Sequence, residues 1–294
     1  MLIEKADDMD RQALALPRAE LWKKFLTPAQ YAERNLRLYA HPYAKNHITT
    51  WLARDPSGNL LSSLDILEIE LVGGESASGT HVASVYTPPA HRGHDYAREL
   101  LKSVLLSHSS KVSLLFSDLR PSFYEKLGFQ NWPVQETIEP FDSAPQKLSQ
   151  KVAPISVDSK LFIAELSRLR ATSVGSGVSI QYNELYLDWH LERYRYFSTL
   201  AGKHLPSDIF WIAEHNRKPH LLLIVPHYLT RIEEGLILTS ECIDCLNFLK
   251  SRAADEGLSR IRYWAQNRHK ATHHPMIRGS NGLEWVFQQP IDEW

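Results

Sequence analysis

The amino-acid sequence predicts an α/β (α+β) protein of two lobes, the first built on a mixed central sheet with helices on both faces. Two observations indicate this class. Alternating and β-branched runs over residues 48–53, 60–72 and 81–86 predict neighbouring antiparallel strands, and the last of them opens a strand–helix–strand unit that ends near residue 116. Beyond residue 155 the order strand, strand, helix, strand occurs again, which predicts a second α+β lobe.

The N-terminal part of the chain predicts two short helices and a hairpin. Apolar residues recur at helical spacing over residues 20–37, and Thr27-Pro28 supplies a cap and a first-turn proline that divide this stretch into two helices. The turn-forming segment from Asp55 to Asn59 leads into the long alternating run at 60–72, which predicts a hairpin. The glycine- and serine-rich residues 73–79 are predicted to form a loop.

A change of hydrophobic period marks the next helix. From Arg92 onward the apolar positions follow i, i+3, i+4, i+7 and i+8 spacing, which places one buried helix face at Ala97, Leu100, Leu101, Val104 and Leu105. Residues 112–116 then predict a short apolar strand. The unit is a βαβ crossover whose Arg-Gly turn lies at the carboxyl end of its first strand.

A linker is predicted near residues 145–155, because residues 141–159 contain two prolines and no periodicity. The predicted domains are therefore 1–145 and 155–294. In the second, helices are expected at 158–170, 186–201 and 240–256, with strands at 209–215, 219–228 and 261–265. This lobe has no glycine-rich phosphate loop, so we expect it to shape the substrate side.

Composition allows two ordinary domains and excludes several function classes. The 294 residues are 43% hydrophobic and 23% charged with a net charge of −1, so no basic surface for nucleic acid or an anionic membrane is expected. Apolar runs such as Leu221–Val225 are far shorter than the roughly 20 residues of a membrane span. With no leader-like N-terminus and two cysteines, the expectation is a cytoplasmic protein whose partner is a small molecule.

The Arg-Gly turn has the properties of an anion cradle. The segment Arg92-Gly93-His94-Asp95-Tyr96-Ala97 ends a strand and opens a helix. The first amides of a helix have no intrahelical acceptor and the helix dipole favours a negative charge there, so the amides of residues 93–97 could hold a pyrophosphate. The small side chain of Ala97 allows the backbone to approach the phosphates.

Residues 81–129 resemble the acyl-CoA site of the GNAT N-acetyltransferases. The resemblance is carried by Val85-Tyr86-Thr87-Pro88, by the Arg92–Ala97 segment and by Phe123-Tyr124-Glu125-Lys126-Leu127-Gly128-Phe129. Further segments, Ser62-Ser63-Leu64-Asp65, Ser117 to Tyr124 and Trp189-His190, resemble fungal lysine N6-acetyltransferase-like proteins. The resemblance implies the GNAT acyl-CoA N-acyltransferase fold with a second GNAT-like lobe, acetyl-CoA as cosubstrate, and direct acetyl transfer to a primary amine or amino acid such as lysine.

The resemblance also implies roles for individual residues. The backbone N–H near Val85, beside Tyr86, would point at the thioester oxygen from a bulge in the strand. Tyr124 would be the general acid for the leaving thiolate, since a phenol pKa near 10 and a thiol pKa of about 8.5 are close enough for proton transfer.

The general base is inferred from the residues themselves: Asp65, Glu68 and Glu70 lie on the alternating run at 60–72, and alternation places Glu68 and Glu70 on the face opposite Asp65. Asp65 is the favoured base, and Asp118 competes with it or contacts the substrate. The carboxylate of Trp294 is a further candidate.

Asp95 departs from the family's Arg-Gly-x-Gly-x-Ala pattern, because it stands where the second glycine belongs. At about 5 Å and an effective dielectric constant of about 20, its charge would oppose each phosphate charge by roughly 3 kcal/mol. A helix-dipole contact contributes only about 0.3–1 kcal/mol. Asp95→Gly is therefore expected to tighten acetyl-CoA binding, and the alternative function is a GNAT-fold binding or regulatory protein with impaired catalysis.

Other conspicuous residues have simpler interpretations. Cys242-x-x-Cys245 lies in a helical run without a second pair, so buried small residues are favoured over a metal site or a redox pair. His269, His273 and His274 are interpreted as a solvated loop, and no metal is predicted. His190 shares a helix face with Arg193, Tyr194 and Phe197, which is either a polar lining of the substrate site or a contact with the other lobe.

Overall fold

The structure, a computed structural model, describes residues 1–72, 78–108, 112–117, 121–131, 135–140, 154–173, 178–215, 218–227, 234–237, 243–258, 260–265 and 274–278. The chain divides into two compact units. Unit 1 contains Met1–Trp132 and His273–Glu284, and unit 2 contains Pro133–Thr272 and Trp285–Trp294. Most of the predicted linker at 145–155 lies outside the described residues. The division between the units falls earlier, at Trp132 and Pro133.

The helices and strands have the following bounds. The strands are β1 (Leu2–Lys5), β2 (Ile48–Arg54), β3 (Leu60–Val72), β4 (Ser78–Tyr86), β5 (Val112–Ser117), β6 (Gln130–Asn131), β7 (Gln135–Pro140), β8 (Ile155–Ser156), β9 (Ser179–Ile180), β10 (Phe210–His215), β11 (Lys218–His227), β12 (Glu234–Ile237), β13 (Arg260–Ala265) and β14 (His274–Arg278). The helices are α1 (Asp8–Trp22), α2 (Pro28–Ala40), α3 (Pro42–His47), α4 (Tyr96–Ser107), α5 (Ser122–Glu125), α6 (Ser159–Ser173), α7 (Glu184–Leu200) and α8 (Ile243–Asp255).

Capping boxes determine where the first two helices begin. The carboxylate of Asp7 accepts a hydrogen bond from the Asp10 backbone N–H at 2.8 Å, and Asp10 accepts one from the Asp7 N–H at 3.2 Å. Thr27 and Gln30 form the same reciprocal pair before α2, whose first residue is Pro28. The predicted division of this region into two helices is confirmed, although α1 begins at Asp8, well before the predicted residue 20.

The sheet of unit 1 has the order β1-β2-β3-β4-β5-β14-β6. Within it, β4 and β5 are parallel, and the other neighbouring strands are antiparallel. The helix α4 connects β4 to β5, as predicted for a βαβ crossover. The predicted strands at 48–53, 60–72, 81–86 and 112–116 are found as β2 to β5.

Helices cover both faces of this sheet. On one face, α4 buries the four larger residues of its predicted apolar stripe, but not the half-buried Ala97, in a cluster that includes Ile66, Val82 and Leu115. Successive residues of a strand point to opposite faces, so Asp65 lies on the other face from Ile66. There α1 and α2 contact it through Arg18 and Tyr39. The predicted mixed sheet with helices on both faces is thereby confirmed.

Unit 2 contains a second mixed sheet with the order β7-β13-β12-β11-β10-β8. The predicted strands at 209–215 and 219–228 are found as β10 and β11, which pair antiparallel with His215 opposite Lys218. After β11 the chain runs through β12, α8 and β13, and β12 is parallel to β13. This repeats the succession of β3, β4, α4 and β5 in unit 1. No helix in the described part of the chain is long and apolar enough to cross a membrane.

The two sheets are each completed by a strand from the other half of the sequence. Strand β7 follows β6 along the chain but pairs with β13 in unit 2. Strand β14 follows β13 but pairs with both β5 and β6 in unit 1. Unit 1 therefore requires residues from near the end of the sequence to cover the side of β5 that β4 does not occupy.

Candidate active site

Strands β4 and β5 pair only over the first part of their length. Their parallel register runs from Gly79 and Val112 to Val82 and Leu115. Beyond these residues β4 continues to Tyr86 and β5 to Ser117, and no further β4–β5 pair occurs within the described residues. The carboxyl ends of two parallel strands thus separate next to the helix that connects them, and an extended ligand chain can enter such an opening.

A β-bulge lies in β4 at this opening. Ser63 of β3 pairs with Tyr86 and Asp65 pairs with Ala83, so two residues of β4, Ser84 and Val85, face one residue of β3. Ser84 has a left-handed backbone, with φ of 50°. The bulge that the resemblance implied near Val85 is therefore present. It changes the direction of the backbone groups at the carboxyl end of β4.

The segment after β4 is fixed by short polar contacts. The Ser62 hydroxyl donates to the Tyr86 carbonyl at 2.9 Å, and the Arg92 guanidinium donates through Nε to the Thr87 carbonyl at 3.2 Å. A single turn of 3-10 helix at Pro89–His91 joins them. Gly93 follows with φ of 83°, a left-handed conformation that favours glycine.

The loop then opens helix α4. Its first hydrogen bond joins the Glu99 N–H to the Asp95 carbonyl at 3.0 Å, so the amides of Tyr96, Ala97 and Arg98 precede the first possible intrahelical acceptor. A Cβ built on Gly93 would meet no heavy atom within 4 Å, so the space in front of this backbone is open. Both features fit a diphosphate held on backbone amides.

Asp95 takes the backbone conformation that a glycine would take at its position. Its φ of 60° and ψ of 10° are left-handed, which Asp tolerates better than most residues. Its Oδ2 lies 2.9 Å from Nη2 of Arg98, and its side chain is 56% exposed. The carboxylate is thus turned to the next turn of α4 and to solvent.

Aromatic and imidazole rings surround this loop. The Tyr96 ring lies 6.1 Å from the His91 ring and 5.8 Å from the His94 ring, measured between centroids. Arg92, Gly93 and His94 are exposed. The loop therefore presents a guanidinium and two imidazoles beside the open amides.

Tyr124 lies in α5, which follows β5 along the chain. The ring is buried and makes edge contacts with Phe123 at 4.9 Å and Phe129 at 6.0 Å. Backbone bonds to Tyr124 from Leu127 at 2.9 Å and from Phe129 at 3.2 Å fix the turn that carries it. The structure thus places Tyr124 in the core of unit 1 near the end of β5, and its role as an acid stays a prediction.

Asp65 is the centre of a buried polar network. Its Oδ2 accepts from Arg18 Nη1 and from the Tyr39 hydroxyl, both at 2.8 Å, and its Oδ1 accepts from the Thr50 hydroxyl at 2.7 Å. Arg18 also donates to the Ser63 hydroxyl at 3.0 Å. The side chains of Arg18 and Asp65 are 2% and 0% exposed. Four secondary-structure elements meet in this network, beside the bulge in β4.

Burial and the charge of Asp65 control the ionisation of its partners. Burial is the largest influence on Arg18 and opposes its charge, but the charge and hydrogen bond of Asp65 and the neighbouring phenols together raise the Arg18 pKa above its usual value. Burial, and then the same carboxylate, raises the pKa of the Tyr39 phenol far above its usual value. Arg18 is therefore a fixed cation and Tyr39 a fixed hydrogen-bond donor at physiological pH.

The other predicted carboxylates are placed differently. Glu68 and Glu70 are exposed on the face of β3 opposite Asp65, as the alternation predicted. Asp118 and Trp294 lie outside the described residues. Their predicted roles as base or substrate contact stay predictions.

His190 lies in α7 of unit 2. Its buried ring packs against Tyr186 at 4.5 Å and Trp189 at 4.7 Å between centroids. Its predicted contact with substrate stays a prediction. Cys245 is buried in α8, as interpreted from the sequence, and Cys242 lies outside the described residues.

Sequence reasoning did not single out Arg18, Tyr39 or His81. His81 lies on β4, is buried, and contacts the Phe116 ring at 5.3 Å. Burial lowers the pKa of His81 to about 3, so the ring is neutral in the folded protein. The available signal for Arg18 was a charged residue within the apolar pattern of α1. The sequence does not identify its partner, because Asp65 lies 47 residues away.

Residues 18–131 match the family described as the acetyltransferase (GNAT) domain. The matched range begins in α1 and ends in β6, so it contains the bulge, the loop and Tyr124. This match covers the N-terminal segment that holds the predicted site, and it agrees with the predicted enzyme class, an N-acetyltransferase, and with acetyl-CoA as its cosubstrate.

Solved structures with the same fold span nearly the whole chain. A GCN5-related N-acetyltransferase from Kribbella flavida is 14% identical, with a TM-score of 0.60 over 94% of this chain and 72% of that chain. One from Anabaena variabilis is 13% identical, with a TM-score of 0.60 over 95% and 73%. A conserved protein of unknown function from Enterococcus faecalis is 13% identical, with a TM-score of 0.63 over 94% and 72%. The predicted GNAT fold is confirmed, and no curated protein sequence matched the chain.

Proposed function

We propose that this protein transfers the acetyl group of acetyl-CoA directly to a primary amine, with the side chain of lysine as the first candidate acceptor. The observation that carries the proposal is the opening between β4 and β5, which has a bulge at Ser84 and Val85 on one side. The loop with open amides follows directly at the start of α4. A ligand with an extended arm and a diphosphate fits these features, because the arm can enter the opening and the diphosphate can bind the open amides.

The loop residues would hold the cofactor. The amides of Gly93, His94, Asp95, Tyr96 and Ala97 are the proposed diphosphate donors, and the exposed Arg92 adds a positive charge. The N–H groups of the bulge at Val85, beside Tyr86, would polarise the thioester carbonyl. Acetyl-CoA supplies the acetyl group in activated form as a thioester.

Tyr124 is the proposed general acid for the departing thiolate. Its position after β5, in the turn that Leu127 and Phe129 fix, supports this role. Its ring is buried among aromatic rings, and a phenol hydroxyl can donate a proton to the sulfur.

Asp65 is better suited to positioning than to proton transfer. If its carboxylate took up a proton, the buried Arg18 guanidinium would lose its counter-charge, which is costly at a buried position. We therefore propose that Asp65 holds α1 and α2 against β3 beside the bulge. Asp118 remains the candidate to accept the proton of the amine or to contact it, and His190 remains a candidate substrate contact.

An acceptor panel tests the proposed reaction. Release of CoA from acetyl-CoA is followed with a thiol-reactive dye in the presence of lysine, a lysine-containing peptide, a polyamine or an amino sugar. One class of primary amine is expected to raise the rate above that of buffer, and its N,N-dimethyl analogue should not. If every amine leaves the rate at the buffer level while CoA still binds, the protein is a GNAT-fold binding module.

Tyr124→Phe tests the acid role. The turnover number should fall by about 10²- to 10⁴-fold, the usual contribution of a general acid. Affinity for acetyl-CoA, measured by calorimetry, should change little because the hydroxyl is not a proposed cofactor contact. Tyr31→Phe, which removes a phenol hydroxyl from α2, is the control. Equal turnover in Tyr124→Phe and the control would remove Tyr124 from the mechanism.

A further inference from the structure

Asp95 occupies the N-cap of α4 but does not cap the helix. Its side chain makes no hydrogen bond to the first-turn amides, and its backbone is left-handed. The carboxylate is paired instead with Arg98 at 2.9 Å. Arg98 also lies 3.5 Å from Glu99, measured from Nε to Oε1, and its side chain is 38% exposed.

Two other helices of this chain show the usual alternative. Asp7 before α1 has an extended backbone, with φ of −88° and ψ of −173°, and its carboxylate accepts from the Asp10 N–H. Asn183 before α7 is likewise extended, with φ of −122° and ψ of 168°, and accepts from the Tyr186 N–H. An Asp at an N-cap ordinarily uses this conformation, because it satisfies an amide that has no intrahelical acceptor.

Capping and cofactor binding compete for the same groups. If Asp95 became extended like Asp7, its carboxylate would take an amide of the first turn of α4. The same amides are the proposed donors to the diphosphate, and the carboxylate would also bring a negative charge to them. The left-handed conformation avoids both effects.

We propose that Arg98 is a positioning residue for cofactor binding, which holds the Asp95 carboxylate away from the first-turn amides of α4 and leaves them open to the diphosphate. The inference rests on the proposed function, because it assumes that the loop is the CoA site. In this chain the Arg98–Asp95 pair would keep the first-turn amides open. A glycine at position 95 would leave them open by itself, because it has no side chain that could cap the helix.

The test is a double-mutant cycle on CoA affinity, measured by calorimetry at fixed salt. Arg98→Ala should weaken CoA binding by about tenfold, the size of an N-cap contribution, because Asp95 can then cap the helix. In an Asp95→Gly background the same change should weaken binding by no more than about threefold, since only a partly exposed charge is lost. Lys102→Ala, which removes an equal charge one turn further along α4, is the matched control and should resemble wild type.

The outcomes separate the inference from the proposed function. If Arg98→Ala weakens binding equally in both backgrounds, Arg98 acts through its own charge and the inference is wrong. Unchanged affinity in Arg98→Ala also overturns it. If neither the wild type nor Asp95→Gly binds CoA, the proposed cofactor site fails as well. Thermal unfolding without CoA provides a second readout, and Arg98→Ala should be as stable as the wild type because the new cap replaces the lost ion pair.

Discussion

Arg18 and Asp65 form an ion pair that is almost completely removed from water. Each charge depends on the other, because a buried charge without a partner carries a large desolvation penalty. The hydroxyls of Thr50 and Tyr39 occupy further lone pairs of the carboxylate, whereas the buried Nε of Arg18 has no hydrogen-bond partner among the described residues. Such a network fixes the position of α1 and α2 on the sheet. Substitution of one of its residues is therefore expected to be strongly destabilising.

Removal of one charge should therefore cost more than removal of both. Arg18→Met or Asp65→Leu alone is expected to lower the free energy of unfolding by about 3–5 kcal/mol, and the double variant by clearly less than the sum. Urea unfolding of the four proteins measures this. A single variant that loses less than about 1 kcal/mol would contradict the account of the pair as a mutually dependent buried unit.

His81 should make stability depend on pH. Burial lowers its pKa to about 3, below the usual value of 6.5, so the unfolded chain binds more protons than the folded protein between these values. Stability is then fully present above pH 6.5 and is lost as the pH falls, by up to about 1.4 kcal/mol for each pH unit.

His81→Leu provides the measurement. Leu67 and Leu114 are its neighbours on the adjacent strands, so an apolar side chain suits the position, and the His81 Nδ1 makes no hydrogen bond among the described residues. Between pH 6 and 4.5 the unfolding free energy of the variant should fall less steeply than that of the wild type. Parallel curves for the two proteins would show that His81 is not buried in its neutral form.

At the scale of elements, local sequence patterns predicted individual helices and strands, but they did not predict which distant strands pair. The periods of 2 and 3.6 residues correctly located β3 and the buried face of α4. The capping box at Asp7 and Asp10 was a readable signal for the start of α1, which the prediction placed too late. The bulge at Ser84 depends on the register between two strands, so it came from the family resemblance and not from the residues themselves.

Strand β14 could not be assigned to unit 1 from the sequence, because its partner β5 lies far back in the chain. Its Met276 is nevertheless in the hydrophobic cluster beneath α4. Met276→Ala should lower the free energy of unfolding by about 2–5 kcal/mol, as other buried large-to-small changes do. Leu106→Ala, on the exposed side of α4, is the control and should cost less than about 0.5 kcal/mol. Equal costs in urea unfolding would argue against the placement of β14.

At the scale of the whole molecule, the fold and the class of enzyme were predictable, but the direction of the Asp95 side chain in the candidate site was not. Length and the order of the predicted elements indicated two α+β lobes, and the family resemblance of residues 81–129 implied acetyl transfer. Where Asp95 points depended on a salt bridge to Arg98 and a left-handed backbone, which composition and spacing do not specify. The paired, outward carboxylate makes the tightening expected for Asp95→Gly smaller than the sequence suggested.

Cofactor binding should be visible in the stability of the whole protein. A ligand that binds only the folded state at about 100 times its dissociation constant adds roughly 2.7 kcal/mol, which for a chain of this size raises the melting temperature by about 5–10 °C. Acetyl-CoA should produce this shift. Pantetheine at the same concentration should produce much less, because it lacks the diphosphate that the amides of α4 are proposed to hold. Equal shifts with both compounds would assign the binding to the opening between β4 and β5 alone. The absence of any shift at millimolar acetyl-CoA would favour the binding-module alternative, since the fold would then be retained without its cosubstrate.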